Sequence, residues 1–170
     1  MPDVVALGKA TGIRFVVETH GGALVASTLA AAKLFDGFDP SCIGIIYDPA
    51  NTKLEGGLRP RSEVEVMGDY LAYVHVKNTL YYHTGDLNRY PVPRAAWRSK
   101  SVAPDCGIID WLEICFALKL GKFDGYLSME EFFMDGTQQY EQLRDALIFI
   151  RECEQHAPAE PLIPYTTFNE

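Results

Sequence analysis

Four short apolar runs in this chain each end on a residue suited to a divalent metal. They are RFVVE ending at Glu18, IGIIYD at Asp48, LAYVH at His75 and GYLSME at Glu130. The first three endings lie 30 and 27 positions apart, about the length of one strand–helix unit. Parallel strands laid side by side deliver their C-terminal ends to one edge of a sheet. The pattern therefore predicts that three carboxylates and one imidazole meet at a single point. Such a convergence is a metal site, and it marks the chain as an enzyme.

The length of 170 residues, with 48% hydrophobic and 22% charged residues, suits one domain with a buried core. A net charge of −8 argues against nucleic acid as the main partner, because phosphate backbones repel an acidic surface. No apolar stretch reaches the ~20 residues that span a bilayer, and MPDVVALGKATG carries no signal-peptide pattern. The expected partner set excludes both nucleic acid and membrane. Cys42, Cys106, Cys115 and Cys153 are scattered without a CxxC pair, which makes a structural thiolate zinc site a weak reading. Cys42 and Cys115 fall within apolar patterns and read as reduced core residues, which implies a cytoplasmic protein.

Strand and helix patterns alternate along the chain, the signature of an α/β fold. A helix ends at Gly12, and Ile13 to Val17 follows as a buried strand. Ser27 caps a helix over LAAAKLF, Cys42 to Tyr47 forms the second strand, Pro60 and Ser62 open a helix around VEVMGDY, and Leu71 to Val76 is the third strand. Thr79 to Pro104 mixes aromatics, arginines and prolines with no period, and reads as a long loop over the site. Asp110 and Glu113 start a helix whose predicted apolar face is Leu112, Phe116 and Leu120. Gly125 to Met129 is the fourth strand. The last helix is expected to bury Tyr140, Leu143, Leu147 and Ile150. Residues 1–156 form the predicted domain and 157–170 an extended tail. Four strand–helix units are half of a (β/α)8 barrel. The sequence thus allows either a doubly wound open sheet or the C-terminal half of a barrel, with the other half from a truncated N-terminus or from another chain. Gly56-Gly57 reads as a turn, since no GxxxxGK[ST] or GxGxxG surrounds it.

The segments VVETHGG, IGIIYDPAN, YLAYVHVKN and GIIDWLEICFALKLGKFDGYLSMEEF resemble, in order, the C-terminal half of xylose-isomerase-like TIM-barrel proteins, with sugar phosphate isomerase/epimerase-like proteins the nearest subgroup. The resemblance implies a (β/α)8 TIM-barrel-like fold with about the last four strand–helix units present. It implies that Glu18, Asp48, His75 and Glu130 hold one divalent ion (Mn²⁺, Mg²⁺, Co²⁺ or Zn²⁺). Glu18 and Glu130 match the acid/base pair of the epimerases, which move the proton beside a carbonyl through an enediolate. The implied activity is isomerisation or epimerisation of a sugar or sugar phosphate, and the implied partner a small-molecule carbohydrate. Around this shell, His20, Asn51 and Lys77 are candidates for substrate binding. Asn51 stands where many family members carry a histidine.

Three rivals stand beside that reading. A dehydratase of the same superfamily would use the same metal to eliminate water. A non-catalytic half-barrel would keep only a binding surface, alone or as a homo-oligomer. An endonuclease-like DNA repair enzyme needs extra histidines and a basic face. Asp48-Pro49-Ala50-Asn51 supplies no extra histidine, and the chain is acidic.

Overall fold

The structure, a computed structural model, describes residues 1–89, 93–130 and 136–159. Expectations for the tail beyond residue 159 and for residues 131–135 lie outside the described residues. Helix α1, Pro2–Thr11, stops at Gly12, whose φ of 70° needs a residue without a Cβ. Strand β1 covers Phe15–Glu18. Ser27 accepts the Ala30 amide at 3.2 Å and caps α2, Thr28–Phe35. Strand β2, Ile43–Tyr47, runs into Asp48, which caps a short helix α3, Pro49–Leu54. Helix α4, Pro60–Met67, continues as a 3-10 turn, Gly68–Tyr70, into β3, Leu71–Val76.

The segment read as an unstructured loop is an antiparallel ribbon of β4, Asn78–Arg89, and β5, Pro93–Val102. This corrects the sequence expectation. Alternating burial identifies strands only where one face packs on a core. Here Tyr81, Tyr82 and Trp97 stay 41–59% exposed, so no such alternation exists. Helix α5, Trp111–Leu120, strand β6, Leu127–Met129, and helix α6, Gln139–His156, follow.

Strands β1, β2, β3 and β6 form one parallel sheet in that order. The register pairs Glu18 with Ile46, Ile46 with Tyr73, and His75 with Ser128. Paired residues in a parallel sheet share a face, and side chains alternate. Glu18, Ile46, Tyr73, His75 and Ser128 therefore project from one face, while Ile43, Ile45, Tyr47, Val74 and Val76 project from the other. The second set is the core, buried under Phe35 of α2, Val64 and Met67 of α4, and Ile114 and Leu118 of α5.

A register irregularity between Ile45 and Ile46 skips Ala72. It sets the parity of β3: with unbroken register, His75 would share the face of Ile45 and point into the helices.

Two predicted helix faces are corrected. Helix α5 buries Trp111, Ile114, Cys115, Ala117 and Leu118, and Leu112 is 44% exposed. It packs against both α4 and α6, so the buried side is wider than the predicted stripe: Phe116 is half-buried against the core, and Leu112 is the member that faces outward. Helix α6 buries Ala146, Ile150 and Cys153 rather than Tyr140 and Leu147. Small side chains at Ala146 and Cys153 let it lie close to α5, and Tyr140 is left 89% exposed. All four cysteines are free, with Cys42, Cys115 and Cys153 buried. Burial pushes the Cys115 thiol up to about 12, so it stays protonated and unreactive. No described helix is long and apolar enough to cross a membrane.

Candidate active site

Each strand end delivers one group to the same rim. Glu18 ends β1, Asp48 follows β2, His75 lies one residue from the end of β3, and Glu130 follows β6. One ligand atom from each lies within 4.8 Å of the other three. His75 Nδ1 is 3.2 Å from Glu18 Oε1 and 3.1 Å from Glu130 Oε2.

Local structure fixes how Asp48 enters this group. Its Oδ1 accepts the Asn51 amide at 2.9 Å as the N-cap of α3, and Pro49 occupies the first turn, where its missing N–H costs nothing. Only Oδ2 remains for the centre. It is buried without a well-aligned donor, and its close neighbour is the Lys77 ammonium at 2.7 Å. Burial pushes the Asp48 carboxyl up to about 6, against the opposing pull of Lys77 and the Asn51 amide. Lys77 also lies 3.0 Å from Glu130 Oε2. Burial works against a charged Lys77, but the Asp48 and Glu130 carboxylates beside it prevail and hold its pKa above the usual lysine range. Burial also resists ionisation of Glu130, and Lys77 overrides it, so that carboxyl is lowered.

The other sequence candidates divide. Asn51 donates its amide to Glu18 Oε1 at 3.2 Å and to the Thr19 carbonyl at 3.0 Å, so it orients Glu18. Lys77 bridges two of the carboxylates. His20 stands apart: its ring is exposed and bonds the neighbouring Gly21 carbonyl at 2.8 Å. Sequence reasoning missed Thr19. It is fully buried, and its hydroxyl accepts the Asp48 amide at 3.1 Å, which ties the end of β1 to the end of β2. It also missed Asn78, buried at the root of the ribbon. That side chain donates to the carbonyls of Pro104 and Ile109 and accepts the amides of Thr79 and Ile109. The HVKN order offered one signal: a polar residue just past a strand end, where the chain has to turn.

Three carboxylates with one imidazole form a donor set suited to a hard or borderline divalent ion. The buried Asp48 Oδ2 already faces one cation, the Lys77 ammonium at 2.7 Å, and is the oxygen that α3 leaves available to the cluster.

The family model described as xylose isomerase-like TIM barrel matches residues 3–153. The chain belongs to this family. Among curated proteins no sequence matches it significantly. Solved structures share its fold at low identity. A 3-keto-D-glucoside 4-epimerase from E. coli matches with a TM-score of 0.66 at 15% identity, over 89% of this chain and 51% of that one. A xylose isomerase-like TIM barrel protein from Mycobacterium smegmatis, in complex with magnesium, matches with a TM-score of 0.61 at 18% identity, over 90% and 50%. A mannonate dehydratase from Streptococcus suis serotype 2 matches with a TM-score of 0.64 at 12% identity, over 90% and 46%. The chain spans about half the length of the structures it matches, and the four parallel strands among its described residues are half a barrel.

Proposed function

We propose that this chain is a divalent-metal-dependent sugar isomerase or epimerase, with Glu18, Asp48, His75 and Glu130 as metal ligands. The observation that carries the reading is the approach of four ligand atoms, from four strand ends, to within 4.8 Å of one another. When bound, a divalent ion supplies electrophilic polarisation of a substrate carbonyl and offsets the negative charge that develops on its oxygen. The chain's own groups move the proton. Glu18 and Glu130 come from the two outer strands, so they reach the cluster from opposite sides. One takes the proton beside the carbonyl, and the other returns it. Return to the opposite face of the same carbon epimerises, and return to the neighbouring carbon isomerises. His75, between the two glutamates, holds them in register. Lys77 keeps Glu130 ionised and places a positive charge beside the developing oxyanion. Asn51 positions Glu18 and borders the space a sugar would occupy. His20 is left with a place on the rim and no assigned role.

The same reading takes residues 1–156 as the barrel half. Among the described residues, β1 and β6 pair on one side only. Val16 and Tyr126 on the inward face are 42% and 77% exposed. Both observations support closure by four further strands, from a second copy or from an N-terminal half. One matched structure is a dehydratase, and elimination of water needs the same cluster, so product analysis separates the two chemistries.

The direct test is thermal unfolding with Mn²⁺, Mg²⁺ or EDTA. An ion that binds only the folded chain must raise its stability by mass action, and the expected result is a rise with Mn²⁺ or Mg²⁺ that EDTA reverses. The Asp48→Asn variant should lose that rise. No shift with any divalent ion rejects the metal assignment and favours a non-catalytic half-barrel.

A further inference from the structure

Positions 78–102, which hold the β4–β5 ribbon, carry four of the chain's fifteen basic residues and one of its twenty-three acidic ones. The rest of the chain then has two acidic residues for every basic one. The ribbon is a cationic arm on an acidic body. Its register pairs Tyr82 with Arg98 and Leu80 with Lys100, so these four residues share one face. Arg98 and Lys100 are exposed, Tyr82 is 41% exposed, and the Lys100 ammonium lies over the Tyr82 ring at 5.9 Å from its centroid. Among the described residues neither outer edge of the ribbon pairs with a further strand. A two-stranded ribbon is marginal in water, so it gains stability from a surface to lie on.

A groove of about 550 Å³ opens between the start of α5 and the second half of α6. Its lining is apolar where Ile109 and Trp111 are buried, and Ile108 and Leu112 stay 39% and 44% exposed. Asp105, Asp110 and Glu152 line it too, and among the described residues no Lys or Arg does. The imidazole of His156, with Nδ1 at 2.8 Å from the Glu152 carbonyl, is its one basic group there. None of residues 78–102 lines this groove, although Pro104 beside the ribbon's root does. The arm and the groove of one chain are thus separate surfaces, opposite in charge and each partly apolar. Residues 160–170, which follow α6 in the chain, contain Glu160 and Glu170 and no basic residue, so charge argues against them as the occupant.

We infer that the groove receives the β4–β5 ribbon of a second copy of this chain, with Arg98 and Lys100 against Asp105 and Glu152 and with Tyr82 on the apolar lining. The exchange is mutual, because one arm and one groove on each copy close a two-fold pair. This contact is separate from closure of the bare sheet face and does not depend on the metal reading.

Sedimentation velocity on the full chain tests this in a Val16→Lys/Tyr126→Lys background, which takes the bare sheet face out of play. The expected result is a dimer at low salt that dissociates as ionic strength rises. Adding Arg98→Glu/Lys100→Glu should weaken the dimer about a hundredfold, and so should adding Asp105→Lys/Glu152→Lys. An equal mixture of those two reversed chains should form dimers again, since each arm then meets a groove of opposite charge. The milder Arg98→Gln/Lys100→Gln change should weaken the dimer about tenfold and leave circular dichroism unchanged. A background chain that stays monomeric at low salt overturns the inference. So does a dimer that either reversal leaves intact, unchanged affinity in the glutamine variant, or a mixture of folded reversed chains that remains monomeric.

Discussion

Lys77 is the cation that already occupies the centre. Its ammonium lies 2.7 Å from the one Asp48 oxygen that α3 leaves over, and it competes for that oxygen with any metal. Replacing it with the similarly shaped Lys77→Met should tighten Mn²⁺ binding by about tenfold, the ratio that ~1.4 kcal/mol of one removed repulsion implies. Turnover should fall, because the charge beside the oxyanion is gone. Isothermal titration and a steady-state assay on the same preparation check the two halves. A second buried carboxylate sits behind the sheet. Glu63 is 2% exposed and accepts hydrogen bonds from Tyr47 and Thr52, while its Oε1 has no partner. Burial raises its pKa above the ordinary 4.5. The folded chain then holds this proton more tightly than the unfolded chain does. The resulting contribution is complete below pH 4.5 and is lost as pH rises through the raised folded value. A Glu63→Gln variant should lose that decline, which denaturant titrations at a series of pH values from 4 upward (about 0.5 apart) would detect. The clustering of the four strand-end residues was legible in the sequence, since β-branched runs ending on a polar residue announce both strand and direction. Glu63 was not legible: in RSEVEVM it looks like a solvated helix charge, and only the Tyr47 hydroxyl across the fold makes it a core residue.

At the scale of elements, the ribbon stands on Asn78. The side-chain carbonyl and amide of Asn78 join the start of β4, the end of β5 and the approach to α5 through four hydrogen bonds. Gly107 passes so close that a Cβ there would lie 2.6 Å from the Thr79 carbonyl and closer still to the Asn78 amide. An Asn78→Ala change strands several buried backbone groups and should cost about 2–4 kcal/mol. Hydrogen exchange should show the loss concentrated in β4, β5 and the turn before α5. Uniform loss across the sheet would count against this local role. The boundaries of α2 and β3 were readable because Ser27 and the LAYVHV pattern act locally. The ribbon was not, because cross-strand pairs such as Tyr82 with Arg98 and His83 with Trp97 hold it, and pairing partners are not adjacent in sequence. The faces of α5 and α6 were misread for a related reason. A helix buried on two sides, or packed through Ala146 and Cys153, hides its contact surface behind larger side chains on the outside.

For the whole molecule, the asymmetry between the two sheet faces dominates. One face is covered by helices, and the other carries the cluster together with exposed Val16 and Tyr126. Among the described residues the parallel sheet has one bare face and two open edges, an arrangement prone to association. The chain is expected to self-associate, with light scattering giving at least twice the monomer mass. A Val16→Lys/Tyr126→Lys variant should shift it towards monomer while retaining helical circular dichroism. A monodisperse parent monomer would count against closure by a second copy.

Asp48 divides its two oxygens between unlike tasks, one anchoring the first turn of a six-residue helix and the other facing the rim. Whatever arrives at the rim therefore pulls on a lever whose far arm is α3. Ala50, Asn51 and Leu54 on that arm line a cavity of about 170 Å³, so the rim and that cavity share one short helix as a wall.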